Sequence, residues 1–362
     1  MPDAAPLESF AAGVETAVDV AQVERQLTEL WQMAAESESG AVTRASLFNL
    51  VAYTESEESR DRATAIISEL TSRHPCRAIV LCARPDAARA GLIASITAHC
   101  HLAGGGGKQV CCEQISIAAA GAGVSQLPGA VLPLLEADLP TVLWWRGNFL
   151  TRAELFRRLV TVADRVIFDT SKWTTVPVAE LADLVLGQRR CRFADLSWTR
   201  LAFWQRLTAD FFDPPACRQE LARLESVEIV HGNGPGARWR ALLYGSWLGC
   251  RLDWSIDTMA RRMQLHARPD REAGLLTICL KSAGGEFVIQ KEPGQQTACN
   301  RVRLPHVCEL PRRRALWPTD DVSLLSQELD HPGRHTVYER ALALANQCCS
   351  AGKFSLECAA RV

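Results

Sequence analysis

A chain of 362 residues has room for two domains or three, and enough volume to bury a core without disulfide or metal staples. Lys plus Arg number 40 and Asp plus Glu 41, so the net charge is −1, which gives no electrostatic ground for binding DNA, RNA or an anionic membrane. The first residues carry acids and lack a basic segment followed by an apolar run, so they do not read as a secretory signal. No stretch reaches the roughly 18 consecutive apolar residues of a membrane span. The expectation is a soluble, cytoplasmic protein, and its 14 cysteines are expected as reduced thiols.

Residues 1–14 read as loose, and 1–39 as an arm built on one helix. Over 19–36, Val20, Val23, Leu27, Leu30 and Trp31 recur at three- and four-residue spacing, an amphipathic helix that Ser37 to Gly40 ends. A strand over 47–53 and a helix over 57–72 follow, with Ala63, Ile66, Ile67 and Leu70 inward; His74-Pro75 stops the helix ahead of a buried strand over 77–82. Residues 93–102 and 108–118 read as two strands around Gly104 to Gly107, and 124–135 as mostly helical. Strand 141–145, helix 152–162, strand 165–169 and helix 174–186 complete an alternation that predicts an α/β domain over 40–190, three-layered with a largely parallel sheet.

Strand 141–145 is the most telling of these. Five apolar or β-branched residues after Pro140 read as a strand buried on both faces. Trp144 and Trp145 alternate to opposite faces, so at least one indole is expected to leave the core near Arg146-Gly147. The carboxyl end of such a strand is where α/β sheets present ligands or partners. Ordinary packing is the alternative reading for both rings.

Beyond 190 the composition changes. Asp195-Leu196-Ser197 caps a long helix over 198–212 that Asp213-Pro214-Pro215 ends, a short strand covers 227–231, and Gly232 to Gly236 form a tight turn. Helix 239–254 leads into strands over 264–268, 274–282, 286–292 and 299–311, with Gly284-Gly285 as a hairpin signal. An α+β domain over 191–315 with an antiparallel sheet is predicted, closed by helices 319–330 and 335–348 within 316–362.

No reactive grouping assembles from spacing. Gly104 to Gly107 with Lys108 lacks the helix start and the Ser or Thr of a phosphate loop and reads as a turn. His99, Cys100 and His101 opposite Cys111-Cys112 form the best metal candidate, yet there is no CxxC and no second pair at ligand spacing, so no metal is assigned. Asp138, Asp169 and Asp195 lack an obvious nucleophile or partner base, and capping or turn roles fit Asp138 and Asp195 better. Arg261-Arg262 and Arg312 to Arg314 could face an anion or acidic partner, or simply solvent. The vicinal pairs Cys111-Cys112 and Cys348-Cys349 are candidate reactive thiols. Among ten tryptophans, Trp198, Trp204, Trp247 and Trp254 fall at core spacing in helices, whereas Trp144, Trp145 and Trp317 fall at element ends, as interface anchors do.

The segments LFNLVAYTE (47–55), HPCRAIVL (74–81), CCEQISI (111–117), LPLLEADLPTVLWWRG (132–147), DLSWTRLAFWQRLTADFFDPP (195–215), YGSWLGCRLDW (244–254) and LLSQELDHPGRHTVYERAL (324–342) resemble, in this order, the OpcA family, the glucose-6-phosphate dehydrogenase assembly proteins. The resemblance covers roughly residues 45 to 345. It implies a non-catalytic effector, with no cofactor, that binds glucose-6-phosphate dehydrogenase and favours its active oligomer in the oxidative pentose phosphate pathway. Expected contact residues, chosen where Trp stands beside Arg, are Asp138, Trp144, Trp145, Arg146, Trp198, Arg200, Trp204 and Arg206. Some family members in photosynthetic bacteria look redox-responsive, which makes Cys111, Cys112, Cys348 and Cys349 candidates for thiol control with thioredoxin as a further partner. The alternative is a phosphosugar-binding enzyme on a degenerate α/β fold, supported by architecture alone, which does not specify function.

Overall fold

The computed structural model describes residues 9–17, 20–36, 42–102, 109–234, 236–305, 311–331 and 333–356. It divides into two units: Met1–Phe168 with Arg190–Phe193 and Asp320–Pro332, and Asp169–Arg189 with Ala194–Thr319 and Gly333–Val362. The glycine run 104–107, Lys108 and the 37–40 linker lie outside the described residues.

The first unit is built on strands β1 (Ser9–Ala17), β2 (Val42–Arg44), β3 (Asn49–Thr54), β4 (Arg77–Arg84), β5 (Gly91–Leu102), β6 (Gln109–Ala120), β7 (Thr141–Trp145), β8 (Arg165–Phe168) and β9 (Arg192–Asp195), ordered β1-β5-β6-β4-β3-β7-β8-β9 with β2 alongside β6. From β6 through β4, β3 and β7 to β8 every pairing is parallel, and Leu50 stands between Ala78 and Val142. Helices α1 (Val20–Glu36), α2 (Glu57–Leu70), α3 (Leu127–Val131) and α4 (Ala153–Val160) intervene along the chain. Every residue of β3, β7 and β8 is buried, as an apolar run covered on both faces requires. Ser56 accepts a hydrogen bond from the Ser59 amide at the start of α2, and Glu57 and Glu58 favour the positive end of its dipole.

Residues 9–17 form an edge strand antiparallel to β5, where looseness was expected, and β2 is a second strand that periodicity did not indicate. The expectation of a protruding indole also fails. Trp144 is 2 % exposed and Trp145 1 %. Trp145 stacks on Tyr53 at 3.7 Å and meets Phe156 edge-on at 5.1 Å. A strand buried on both faces leaves neither side open to an alternating side chain.

One late helix, α11 (Asp321–Asp330), belongs to this unit, although α5 (Val178–Gly187), α6 (Leu196–Thr199), α7 (Ala202–Phe211), α8 (Pro215–Leu221), α9 (Ala237–Arg251) and α10 (Ile256–Arg262) precede it in the chain. Polar contacts hold α11 to the sheet side. Arg165 pairs with Glu328, both nearly sealed from water, and also donates to the Glu328 carbonyl at 2.5 Å; Arg146 Nη1 reaches Asp321 Oδ2 at 3.1 Å, and His74 Nε2 lies 2.8 Å from Ser326 Oγ.

In the second unit, strands β10 (Leu224–Gly232), β11 (Met263–Arg268), β12 (Leu275–Ser282), β13 (Glu286–Lys291), β14 (Thr297–Arg303) and β15 (Arg312–Ala315) are ordered β11-β10-β12-β13-β14-β15. All neighbours are antiparallel except β10 and β11, which pair in parallel because α9 and α10 carry the chain back between them. The predicted antiparallel sheet is therefore mixed. The predicted helix 198–212 is two helices, α6 and α7, divided at Arg200-Leu201 where Leu201 N bonds Trp198 O at 2.9 Å, a tightened i→i−3 turn. Helix α12 (Thr336–Ser350) packs along α9 and α5.

The Arg165–Glu328 pair makes a direct stability prediction. Burial depresses the Arg165 guanidinium, and Glu328 opposes that shift. Glu328→Ala is expected to destabilise the first unit by about 3–5 kcal/mol, because the buried guanidinium loses the carboxylate opposite it. Urea unfolding measures this; the double variant Arg165→Met/Glu328→Leu should recover most of the loss, and a single-variant cost under about 1 kcal/mol would contradict a buried pair.

Candidate functional site

The eight residues expected at a partner surface divide sharply by exposure. At the carboxyl end of β7, Trp144 and Trp145 are core residues. Arg146 lies over the Trp144 ring, 4.5 Å from its centroid, and is engaged by Asp321. Trp198 is buried beside Tyr338, ring centres 5.5 Å apart, and Trp204 is buried in α7. Arg200 Nη1 donates to Asp169 Oδ1 at 2.8 Å. Only Asp138, in the turn before β7, and Arg206, whose Nε bonds Asp210 one helical turn on, face water.

Around Arg200 the second unit assembles a polar cluster that spacing did not reveal. Asp169 follows β8 and Asp195 ends β9, and these strands are neighbours in the sheet order, so two aspartates considered singly in the sequence come together. Asp195 is 1 % exposed. Its Oδ1 accepts from the amides of Thr170 at 3.1 Å and Ser197 at 2.9 Å, and its Oδ2 from Thr170 Oγ1 at 2.5 Å. Thr170 Oγ1 in turn accepts from Trp239 Nε1 at 3.1 Å. Burial pushes the Asp195 carboxyl up to about 7; the Thr170 hydroxyl opposes this and the Asp169 charge adds to it. Arg240 is pushed down to about 10, first by burial and then by Arg200, with Asp169 and Asp195 pulling the other way. An acid near 7 lies in the range that proton transfer uses, but Asp195 is sealed and both its oxygens accept from Thr170 or Ser197. The capping role read from sequence is the one the geometry displays.

The thiols expected to be reactive are not in reactive settings. Cys111 is joined to Cys100 across β5 and β6, where the register places them opposite, so reduced thiols throughout is corrected at this pair. Burial pushes Cys112 and Cys348 up to about 11 and raises Cys349 as well, which lowers their thiolate fractions. Nor does the metal candidate assemble: His99 Nε2 meets Gln114 Oε1 at 3.0 Å and His101 Nε2 meets Thr71 Oγ1 at 2.9 Å. Among the described residues no three His, Cys, Asp or Glu side chains gather as a ligand set. No helix there is long and apolar enough to cross a membrane. Arg262 covers the Trp254 ring at 5.4 Å, while Arg312 to Arg314 stand exposed on edge strand β15.

Residues 67–185 match the family described as the glucose-6-phosphate dehydrogenase subunit N-terminal domain, and 191–342 match its C-terminal domain. A Synechocystis sp. protein that carries the name OxPP cycle protein OpcA is 31% identical over 312 residues, covering 78% of this chain and 65% of that protein. The Synechococcus elongatus protein of that name is 29% identical over 330 residues, covering 82% of this chain and 73% of its own length. The chain thus spans just under two thirds of the Synechocystis relative. Solved structures similar to it include the UDP-N-acetylglucosamine 3-dehydrogenase GnnA of Acidithiobacillus ferrooxidans, at 9% identity and TM-score 0.44 over 85% of this chain and 98% of that one. Biliverdin reductase of Synechocystis sp. follows at 6% identity and TM-score 0.45, over 84% and 99%. Likeness at that level carries no conclusion about chemistry.

Asp195 makes the site testable by pH. Its folded value, about 7, lies above its ordinary 3.8, so between these limits the folded chain holds a proton that the unfolded chain has lost. Stability contributed by this group is present below that window and falls as pH rises through it, by up to about 1.4 kcal/mol per pH unit. Asp195→Asn should flatten the fall; identical pH–stability curves for the two proteins would contradict the assignment.

Proposed function

This chain belongs to the OpcA family, and from that premise we propose that it is a non-catalytic partner of glucose-6-phosphate dehydrogenase that favours the enzyme's active oligomer in the oxidative pentose phosphate pathway. The observation that carries the reading is the ordered match of both family domains across 67–185 and 191–342. The side chains are compatible with it: the acid poised near 7 is sealed and capped, and Trp144 and Trp145 pack in the first unit's core while Trp317 stays exposed, as an interface anchor would. A protein effector of this kind acts only through tighter binding to the active state than to the inactive one, so complex formation and kinetic activation must appear together.

Of the eight expected contact residues, Asp138 and Arg206 are exposed, which supports assigning the contact to them rather than to the buried or internally paired six. Mixing the chain with the dehydrogenase is expected to give co-elution on size exclusion, a shift to the larger enzyme assembly and a rise in kcat/KM. Absence of a complex, or a complex with unchanged kinetics, would count against the reading. Within the complex, Asp138→Lys and Arg206→Glu should weaken association several-fold at unchanged Tm, whereas Trp145→Ala should lower Tm by removing a buried ring worth about 3–5 kcal/mol.

A further inference from the structure

The second unit contains a cavity of about 410 Å³ beside the turn that joins β10 to α9. The first turn of α9 lines it through Ala237, Arg238 and Trp239, and Thr174 and Thr175 line it from the segment before α5. Gly232, Gly234 and Ala237 stand at the spacing of a dinucleotide fingerprint, yet that spacing is not the argument. A Cβ at 232 would collide with the Glu272 carbonyl, and one at 236 would come within 2.7 Å of Ser171 Cα, so close packing of the chain on itself already requires those glycines.

Three other observations point to a ligand, and to its charge. Arg238, on the cavity wall, makes no ion pair with a carboxylate among the described residues; its Nε donates to the Ser355 carbonyl at 2.5 Å. His231 lines the cavity and is 2 % exposed, and its Nδ1 lies 2.9 Å from the Gly232 carbonyl. A carbonyl only accepts, so Nδ1 carries the proton, and the buried Nε2 has no hydrogen-bond partner. Finally, α9 is 15 residues long, so its amino end adds amide donors and the positive end of a dipole on the same wall. The Arg238 guanidinium, the helix amino terminus and the threonine hydroxyls are donors that recognise phosphate, while the His231 Nε2 lone pair is an acceptor and fits a hydroxyl of the ligand body.

We propose that this cavity binds the phosphate group of a small phosphorylated metabolite. Its volume suits a body the size of a hexose phosphate or a nucleoside monophosphate and lies at the low end of small-ligand sites. The site stands apart from the partner reading and holds or fails whether or not the dehydrogenase binds.

Thermal shift and isothermal titration on the full chain test it, with inorganic phosphate, glucose 6-phosphate and adenosine 5′-monophosphate as probes and sodium chloride at matched ionic strength as control. A saturable rise in Tm with at least one phosphate compound is expected, absent with chloride. Arg238→Ala should weaken that binding at least tenfold, and Thr174→Ala, at an exposed position, several-fold. Preference for the sugar phosphate or for the nucleotide identifies the ligand body, and equal binding of all three places recognition in the phosphate alone. No response beyond chloride overturns the proposal, as does unchanged affinity in both variants. Should Arg238→Ala lose its near-ultraviolet dichroism, Thr174→Ala decides.

Discussion

A guanidinium leaves water only when a negative group replaces the lost hydration, and this requirement shapes much of the chain. Arg77, almost fully buried, meets Glu113 at 3.1 Å, with Glu24 and Glu136 at 2.6 Å each. Glu113 is itself 2 % exposed and also accepts from Arg44 at 2.8 Å and from Trp31 Nε1 at 3.0 Å. That single carboxylate ties α1, β2 and β4 to β6. Arg165 fixes α11 in the same way, across 163 positions of sequence. In the second unit Arg200 is committed to Asp169. Arg146 and Arg200, each near a tryptophan in sequence, are internal ties in three dimensions, whereas Arg206 stays exposed.

What the sequence made legible follows from the same physics. The parallel core was readable because runs such as 49–54 and 141–145 are apolar without alternation, which only a doubly covered strand tolerates. The two tryptophans of β7 were misplaced by applying alternation alone; both faces of that strand are covered, so alternation moves a ring from one core to another. Edge strand β1 escaped notice because Ser9 to Ala17 mixes small, polar and apolar residues and gains its strand form from pairing with β5. The parallel β10–β11 pair was equally hidden. Strand direction depends on how α9 and α10 route the chain, which local periodicity does not record.

The candidate site was legible residue by residue and opaque as a constellation. Asp169 stood out as an acid near a predicted strand and Asp195 as a helix cap, but their approach, with Asp195 on Thr170, needs β8 and β9 to be neighbours. The Cys100–Cys111 pair likewise required the register of β5 against β6, one residue of slip being enough to send the two sulfurs to opposite faces.

Against this background, Arg238 and Arg240 are exceptions that carry weight. Where Arg44, Arg77, Arg146, Arg165 and Arg200 pair directly with carboxylates, these two make no ion pair among the described residues; burial and Arg200 depress Arg240, and Asp169 and Asp195 offset that only in part. Arg238 stands on the cavity wall without an ion pair, so an anion that enters there gains a charge-assisted contact, and its binding stabilises the second unit by mass action. Linkage then sets the consequence for an effector protein. If the filled and empty forms bind a partner enzyme unequally, the partner must alter the anion's affinity by the same factor, so a metabolite level and an enzyme assembly become coupled through this chain.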